Sequence, residues 1–309
     1  TKILLLGHEA AARGLYGNPT AHLNDLRGII TKSNTRAEII STYAPVDCTD
    51  VVDREGDNED EDDSDAGSNN KDSAPTARRN FRFWFRSDLR KLLLNERRRS
   101  YKYEAIANYT TRQIINWLNS QTDTTLYFDI ETHPPTDTVQ CFSIAAPIGP
   151  ALQVPCYDYR SYSRHHLPQL FAALTRAFHR NTIVGHNISF DLGFLFHFHG
   201  IPFGHRLYDT MLAHHRCFPE AEKSLGHAMS YWVNVDNHKN DAGTFTPHNH
   251  YQFQTLLDYN TRDVLVLREI HLEQCAYSRN DPGLIRSITQ ANTVQFDYLV
   301  AGLRGILVD

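Results

Sequence analysis

Hydrophobic and polar positions along the chain fall into two stretches of α/β character separated by a long polar gap. In the first, Ile3–Leu6 is a continuous apolar run of buried-strand type ending at Gly7. The Ala-rich, helix-prone Glu9–Tyr16 follows, stopped by Gly17, Asn18 and Pro19. Glu38–Tyr43 reads as a second strand, closed by Ala44–Pro45. The second stretch begins at Thr124. In a strand through Leu126–Glu131 the side chains alternate, with Leu126, Phe128 and Ile130 on one face and Tyr127, Asp129 and Glu131 on the other. Val139–Ala145 fits a hairpin partner, Leu167–His179 an amphipathic helix and Thr182–Gly185 a short strand. Helices are expected from about Ser189 to His199, over Glu222–Val233 and over Leu256–Cys275. There is no internal repeat.

The gap between the stretches has two parts. Asp53–Thr76 is acidic, then rich in Ser, Asn, Gly and Ala, with almost nothing large and apolar. Such a segment cannot bury enough surface to offset its ordering entropy, so an inserted disordered loop is expected there. Arg78–Lys102 then carries ten basic residues against two acids, with Phe81, Phe83, Trp84 and Phe85 interleaved. Ser87–Asp88 can cap a helix through Leu89, Leu92 and Leu93. Basic plus aromatic composition suits nucleic-acid contact, and suits equally a helix whose aromatics are core and whose arginines are solvated.

A length of 309 residues suggests about two domains, and 41% hydrophobic residues make most of the chain globular. The net charge of -5 is local: residues 53–65 hold nine acids and one Arg, and the remainder has 30 basic residues against 27 acidic. Overall acidity therefore does not exclude a polyanionic partner. Cys48, Cys141, Cys156, Cys217 and Cys275 are scattered, with no C-x-x-C, which points to a reducing compartment, the cytoplasm. No signal peptide and no apolar run of about 20 residues is present. The 17 histidines show neither zinc-ligand spacing with cysteine nor an H-E-x-x-H motif. The first residue is Thr rather than Met, so a piece of a longer protein is expected.

Chemistry concentrates in the carboxylates. Asp129 and Glu131 share one strand face just before Pro134–Pro135, at the carboxyl end where α/β sheets place ligands. Carboxylates that close repel unless a cation lies between them, and an all-oxygen donor set favours Mg2+ or Mn2+. Asp191 lies in the first turn of the helix after Gly185–His186–Asn187, and Tyr259 and Asp263 are one turn apart on another helix. Each of these is commonplace alone; order and spacing give them value together.

Together they resemble the DEDD superfamily of ribonuclease-H-like 3′-5′ exonucleases over roughly Asp123–Cys275. FDIET supplies the first motif, N-x-x-F-D (Asn187–Asp191) the second and Y-x-x-x-D (Tyr259–Asp263) the third. With Asp258 rather than His five residues before Asp263, the tyrosine subclass is indicated. The resemblance implies a mixed central sheet flanked by helices and hydrolysis with two Mg2+ (or Mn2+) ions. Asp129, Glu131 and Asp263 would hold one ion and Asp129 with Asp191 the other. Tyr259 would orient the attacking water, and Thr132, Asn187 and Phe190 would contact the nucleic acid.

Tyr208–Trp232 (YDTMLAH, then KSL) resembles the corresponding stretch of polymerase proofreading domains, and Leu303–Asp309 the entry into a family A polymerase domain. ILLLGHEAAARGLYG, Leu26–Gly28 and Ile39–Pro45 resemble the later half of a uracil-DNA-glycosylase-like domain found before the exonuclease in some phage polymerases. Ala44 stands where that family has a catalytic His, so no glycosylase chemistry is expected. The expected order is therefore a smaller, partial α/β glycosylase-like unit (1–52), the acidic loop (53–76), a basic-aromatic closing segment and linker (77–120), the exonuclease domain (121–275) and a connector to a polymerase domain (276–309). The expected partner is the 3′ end of single-stranded DNA. A stand-alone exoribonuclease of ribonuclease D type, or a non-catalytic nucleic-acid-binding module, are the alternatives.

Overall fold

The computed structural model describes residues 2–6, 30–32, 38–42, 81–95, 105–106, 109–133, 137–156, 167–219, 221–235 and 250–305. The acidic loop, the Glu9–Tyr16 helix, Leu26–Gly28, Ala44 and the last four residues lie outside them. The chain divides into two compact units: Thr1–Arg99 with Glu220–Glu222, and Ser100–Pro219 with Lys223–Asp309.

In the first unit, β1 (Lys2–Leu6), β2 (Ile30–Lys32) and β3 (Glu38–Thr42) form a sheet in the order β1-β3-β2. β1 runs parallel to β3 and β2 antiparallel to it. Helix α1 (Phe81–Leu94) starts six residues before the expected Ser87–Asp88 cap. Nothing in FRFWFR interrupts a helix, and Asp88, far from capping, is fully buried on its interior.

The second unit is a three-layer sandwich built on six strands. In chain order it comprises β4 (Ala105–Ile106), α2 (Thr111–Ser120), β5 (Thr125–His133), β6 (Thr138–Ala145), β7 (Ala151–Pro155), α3 (Leu167–Arg180), β8 (Thr182–Gly185), α4 (Ile188–His199), β9 (Leu207–Asp209), α5 (Thr210–Cys217), α6 (Leu225–Trp232), α7 (His250–Ser278) and α8 (Pro282–Arg304). The sheet order is β4-β7-β6-β5-β8-β9. β6 runs antiparallel to β5 and β7, and every other pairing is parallel.

The alternation read in β5 sorts two cores. Leu126, Phe128 and Ile130 join one cluster with Ile114 and Leu118 of α2, Leu174 and Phe178 of α3, and Leu192 and Leu195 of α4. Tyr127 points the other way, into a cluster with Met229 of α6 and Val264–Leu267 and Ile270 of α7. Phe128 meets Phe178 edge-to-face, with ring centroids 5.0 Å apart. Both faces of β5 are thus covered, which is why the strand is central. α6 is shorter than expected because Ser224 caps it, accepting from the His227 N–H at 3.3 Å. α7 is longer than expected, beginning six residues before Leu256 and ending three after Cys275, because its mixed surface obscures the helical pattern at both ends. No helix among the described residues is long and apolar enough to cross a membrane. Cys141, Cys156, Cys217 and Cys275 are free thiols.

Tyr127 turns its hydroxyl to His271 of α7, 3.1 Å from Nδ1, and the Tyr208 ring lies 4.4 Å from the imidazole. Burial lowers the His271 pKa from 6.5 to about 4. The folded chain therefore holds His271 neutral where the unfolded chain protonates it. Its contribution to stability is full above pH 6.5 and is lost as pH falls toward about 4, by at most ~3 kcal/mol. Urea unfolding from pH 7 to 4.5 should show the unaltered protein losing more stability than His271→Gln. Parallel curves would show that this histidine is not held neutral.

Candidate active site

The site forms where β5 outruns its neighbour. β8 pairs with β5 only along Thr125–Tyr127 and ends at Gly185, so beyond Tyr127 the β5 backbone has no strand on that side. Asp191 of α4 fills the place: its Oδ1 accepts the N–H of Ile130 at 3.0 Å. That N–H lies between Asp129 and Glu131, so the third carboxylate is tied to the stretch of strand that bears the first two. Asp191 is 4% exposed. Burial raises its pKa well above the usual carboxylate range, and the negative charges of Glu131 and Asp209 push the same way, while N–H donation from Ile130 opposes.

From the opposite layer α7 brings Asp263. Ligand oxygens of Asp129, Glu131 and Asp263 all lie within 4.8 Å of one another. Asp263 is buried and the two strand carboxylates are half-buried. Two like charges at that separation repel by about 1–4 kcal/mol, depending on local dielectric. Such an all-oxygen donor set fits a hard divalent cation. Tyr259 sits half-buried one turn before Asp263 on α7.

The remaining expected residues sit on the same elements. Thr132 follows Glu131 at a register shift, where Glu131 faces Cys141 but Thr132 faces Val139; such bulges re-aim strand side chains and recur beside active sites. Asn187 precedes α4 in a left-handed conformation (φ 59°, ψ 43°), one that Asn tolerates. Its side chain makes no capping bond and is exposed. Phe190 is 54% exposed, its ring 6.1 Å from that of Phe194.

Two site residues were given no role from sequence. Asn260, between Tyr259 and Asp263, is fully buried and donates from Nδ2 to Asp129 Oδ2 at 2.6 Å. Asp209, also fully buried, accepts from the N–H groups of Asn187 (2.9 Å), Ile188 (3.1 Å) and Met211 (2.9 Å) and from Gln295 Nε2 (2.6 Å). It thereby caps α5 and closes the start of α4 as well, and its own N–H goes to Asn292 of α8. The only sequence signals were an Asn inside the third motif and the Asp of D-T-M-L; their partners are remote in the chain.

The family model for 3′-5′ exonucleases matches residues 107–273, more than half of the chain. The chain belongs to the 3′-5′ exonuclease family. This family is divalent-metal dependent, and this exonuclease has the carboxylate cluster to match. No curated protein matches the sequence. Among solved structures, a variant of the catalytic core of RRP6 from Trypanosoma brucei is 17% identical, with a TM-score of 0.47 over 62% of this chain and 52% of that one. RNase D from Escherichia coli, an exoribonuclease involved in structured RNA processing, is 13% identical, with a TM-score of 0.46 over 67% and 52%. NrnC from Brucella melitensis, bound to pGG, is 16% identical, with a TM-score of 0.45 over 68% and 98%. The matches thus span about half of the RRP6 and RNase D chains.

Asp209→Ala should unfold the exonuclease more readily, because it strands three backbone donors and an amide that one carboxylate satisfies. Leaving even two of them unsatisfied costs about 2–6 kcal/mol. Urea unfolding would measure this; a loss under ~1 kcal/mol would mean that water replaces the carboxylate.

Proposed function

We propose that this exonuclease is the proofreading part of a phage-type, family A DNA polymerase, removing nucleotides from the 3′ end of single-stranded DNA. The carboxylate group of Asp129, Glu131 and Asp263 within 4.8 Å carries the hydrolytic part of this reading. Two Mg2+ or Mn2+ ions would be held there, one by Asp129, Glu131 and Asp263 and one by Asp129 and Asp191. Bound there, they would supply Lewis-acid stabilisation of charge on the scissile phosphate and on the leaving 3′ oxygen.

The residues' own tasks follow from their placement. Asp129 and Glu131, on a central strand covered on both faces, are held rigidly enough to fix the geometry of the site. Tyr259, one turn before Asp263 on α7, would orient the attacking water with its hydroxyl. Phe190, exposed and one residue from Asp191, can stack on a terminal base, and Asn187 offers its exposed amide to the same strand end. Thr132 would meet the terminal nucleotide from β5. The polymerase context is supported by the Y-D-T-M-L-A-H and K-S-L segment, in which Asp209 and Ser224 cap α5 and α6. The N-terminal unit is read as a glycosylase-like remnant without base-excision chemistry, since Ala44 replaces the His that such chemistry needs.

The test is shortening of matched 3′-terminal DNA and RNA single strands, resolved as ladders, with Mg2+ or Mn2+ present. DNA should be shortened one nucleotide at a time, and the faster of the two. Asp129→Ala should lose several orders of magnitude in rate with its fold unchanged. Tyr259→Phe should be milder, losing no more than the ~10²–10⁴-fold expected of one proton-handling group. Shortening of RNA alone would replace the polymerase reading with one of ribonuclease D type, and undiminished Asp129→Ala activity would overturn the site.

A further inference from the structure

We propose that Asn260 is a positioning residue for the metal site, holding one oxygen of Asp129 so that its carboxylate faces Glu131 and Asp263 in a single orientation. The inference rests on the reading of Asp129 as a metal ligand and extends it.

Asn260 comes from α7 and Asp129 from β5, 131 positions apart, and they meet at 2.6 Å between Nδ2 and Oδ2. Asn260 is fully buried, and its Oδ1 has no hydrogen-bond partner. The amide orientation is fixed by chemistry, because the flipped side chain would set a carbonyl oxygen against a carboxylate oxygen. A buried amide that satisfies its donor on one carboxylate and leaves its carbonyl unmet is a poor choice for packing alone. A leucine of similar size would fill the space without an orphan.

Its neighbours on α7 already secure the helix to the sheet. Asp258 accepts from Gln153 of β7 at 3.0 Å, and the Thr261 hydroxyl meets that of Ser143 of β6 at 3.1 Å. Anchoring is thus supplied on both sides of Asn260, and what it adds is specific to Asp129. A carboxylate crowded by two others would otherwise rotate to relieve repulsion. A charge-assisted hydrogen bond to one oxygen opposes that rotation and keeps the carboxylate turned toward Glu131 and Asp263. Hydrogen-bond partners of this kind typically govern metal affinity or activity by about 10–100-fold.

The experiment measures Mn2+ affinity directly, by electron paramagnetic resonance of the free ion, on the full chain carrying Asn260→Leu or Asn260→Ala. Unfolding temperature in EDTA reports the fold separately. Mn2+ binding weakened about tenfold or more, with the metal-free unfolding temperature kept or raised, is the expected result. Mn2+ affinity equal to that of the unaltered protein would overturn the proposal. Absence of Mn2+ binding in the unaltered protein, as in Asp129→Ala, would instead overturn the metal-site reading, and this inference with it. Should neither variant fold, the unaltered protein decides by Mg2+ titration with nuclear magnetic resonance. The Asn260 side-chain amide signals should shift in step with metal binding, and signals that stay fixed at saturation would overturn the proposal.

Discussion

Negative charge crowded at the far end of β5 is the constraint to which the rest of the exonuclease unit answers. Three carboxylates with oxygens inside 4.8 Å of one another would not assemble by themselves. They are forced together by surfaces that gain more from packing than the charges lose. Leu126, Phe128 and Ile130 bury one face of β5 against α2, α3 and α4, and Tyr127 joins the core beneath α6 and α7 on the other. Burying a single such side chain is worth about 1.5–3 kcal/mol, so the two cores together outweigh repulsion of about 1–4 kcal/mol per charged pair.

Polar contacts then set where each carboxylate stands. α7 is tied to three strands by three nearby residues: Asp258 to β7, Asn260 to β5 and Thr261 to β6. α4 is tied at Asp191 to the Ile130 N–H and at its first residues to Asp209. Asp209 is in turn held by Asn292 and Gln295 of α8. Helix α8, which lies in the expected connector, thus braces the segment that carries Asp191.

The central strand, its hairpin partner, α3, β8 and all four carboxylates were legible in the sequence because each leaves a local trace: alternation, helical spacing or a short motif. β4, at two residues, and β9, at three, are too short to show any period. The start of α1 was misjudged because Ser87–Asp88 looks like a cap, whereas the aromatic run before it continues the helix. α8 does carry start and stop signals, with Asp281 capping at Leu284, Pro282 in the first turn and Gly305 at the end. Asn260 and Asp209 lie inside legible motifs, yet their roles are not legible there, because those roles depend on partners that only the fold supplies.

The central claim is that this carboxylate group is strained by its own charge and relieved by a divalent cation. Unfolding free energy of the unaltered protein and of Glu131→Gln, each in EDTA and in saturating Mn2+, tests it most directly. Removing one charge should make Glu131→Gln the more stable of the two without metal, by about 1–4 kcal/mol at most, and the less stable with Mn2+, since the variant binds the ion more weakly. Equal stability in EDTA with equal gain from Mn2+ would contradict the account.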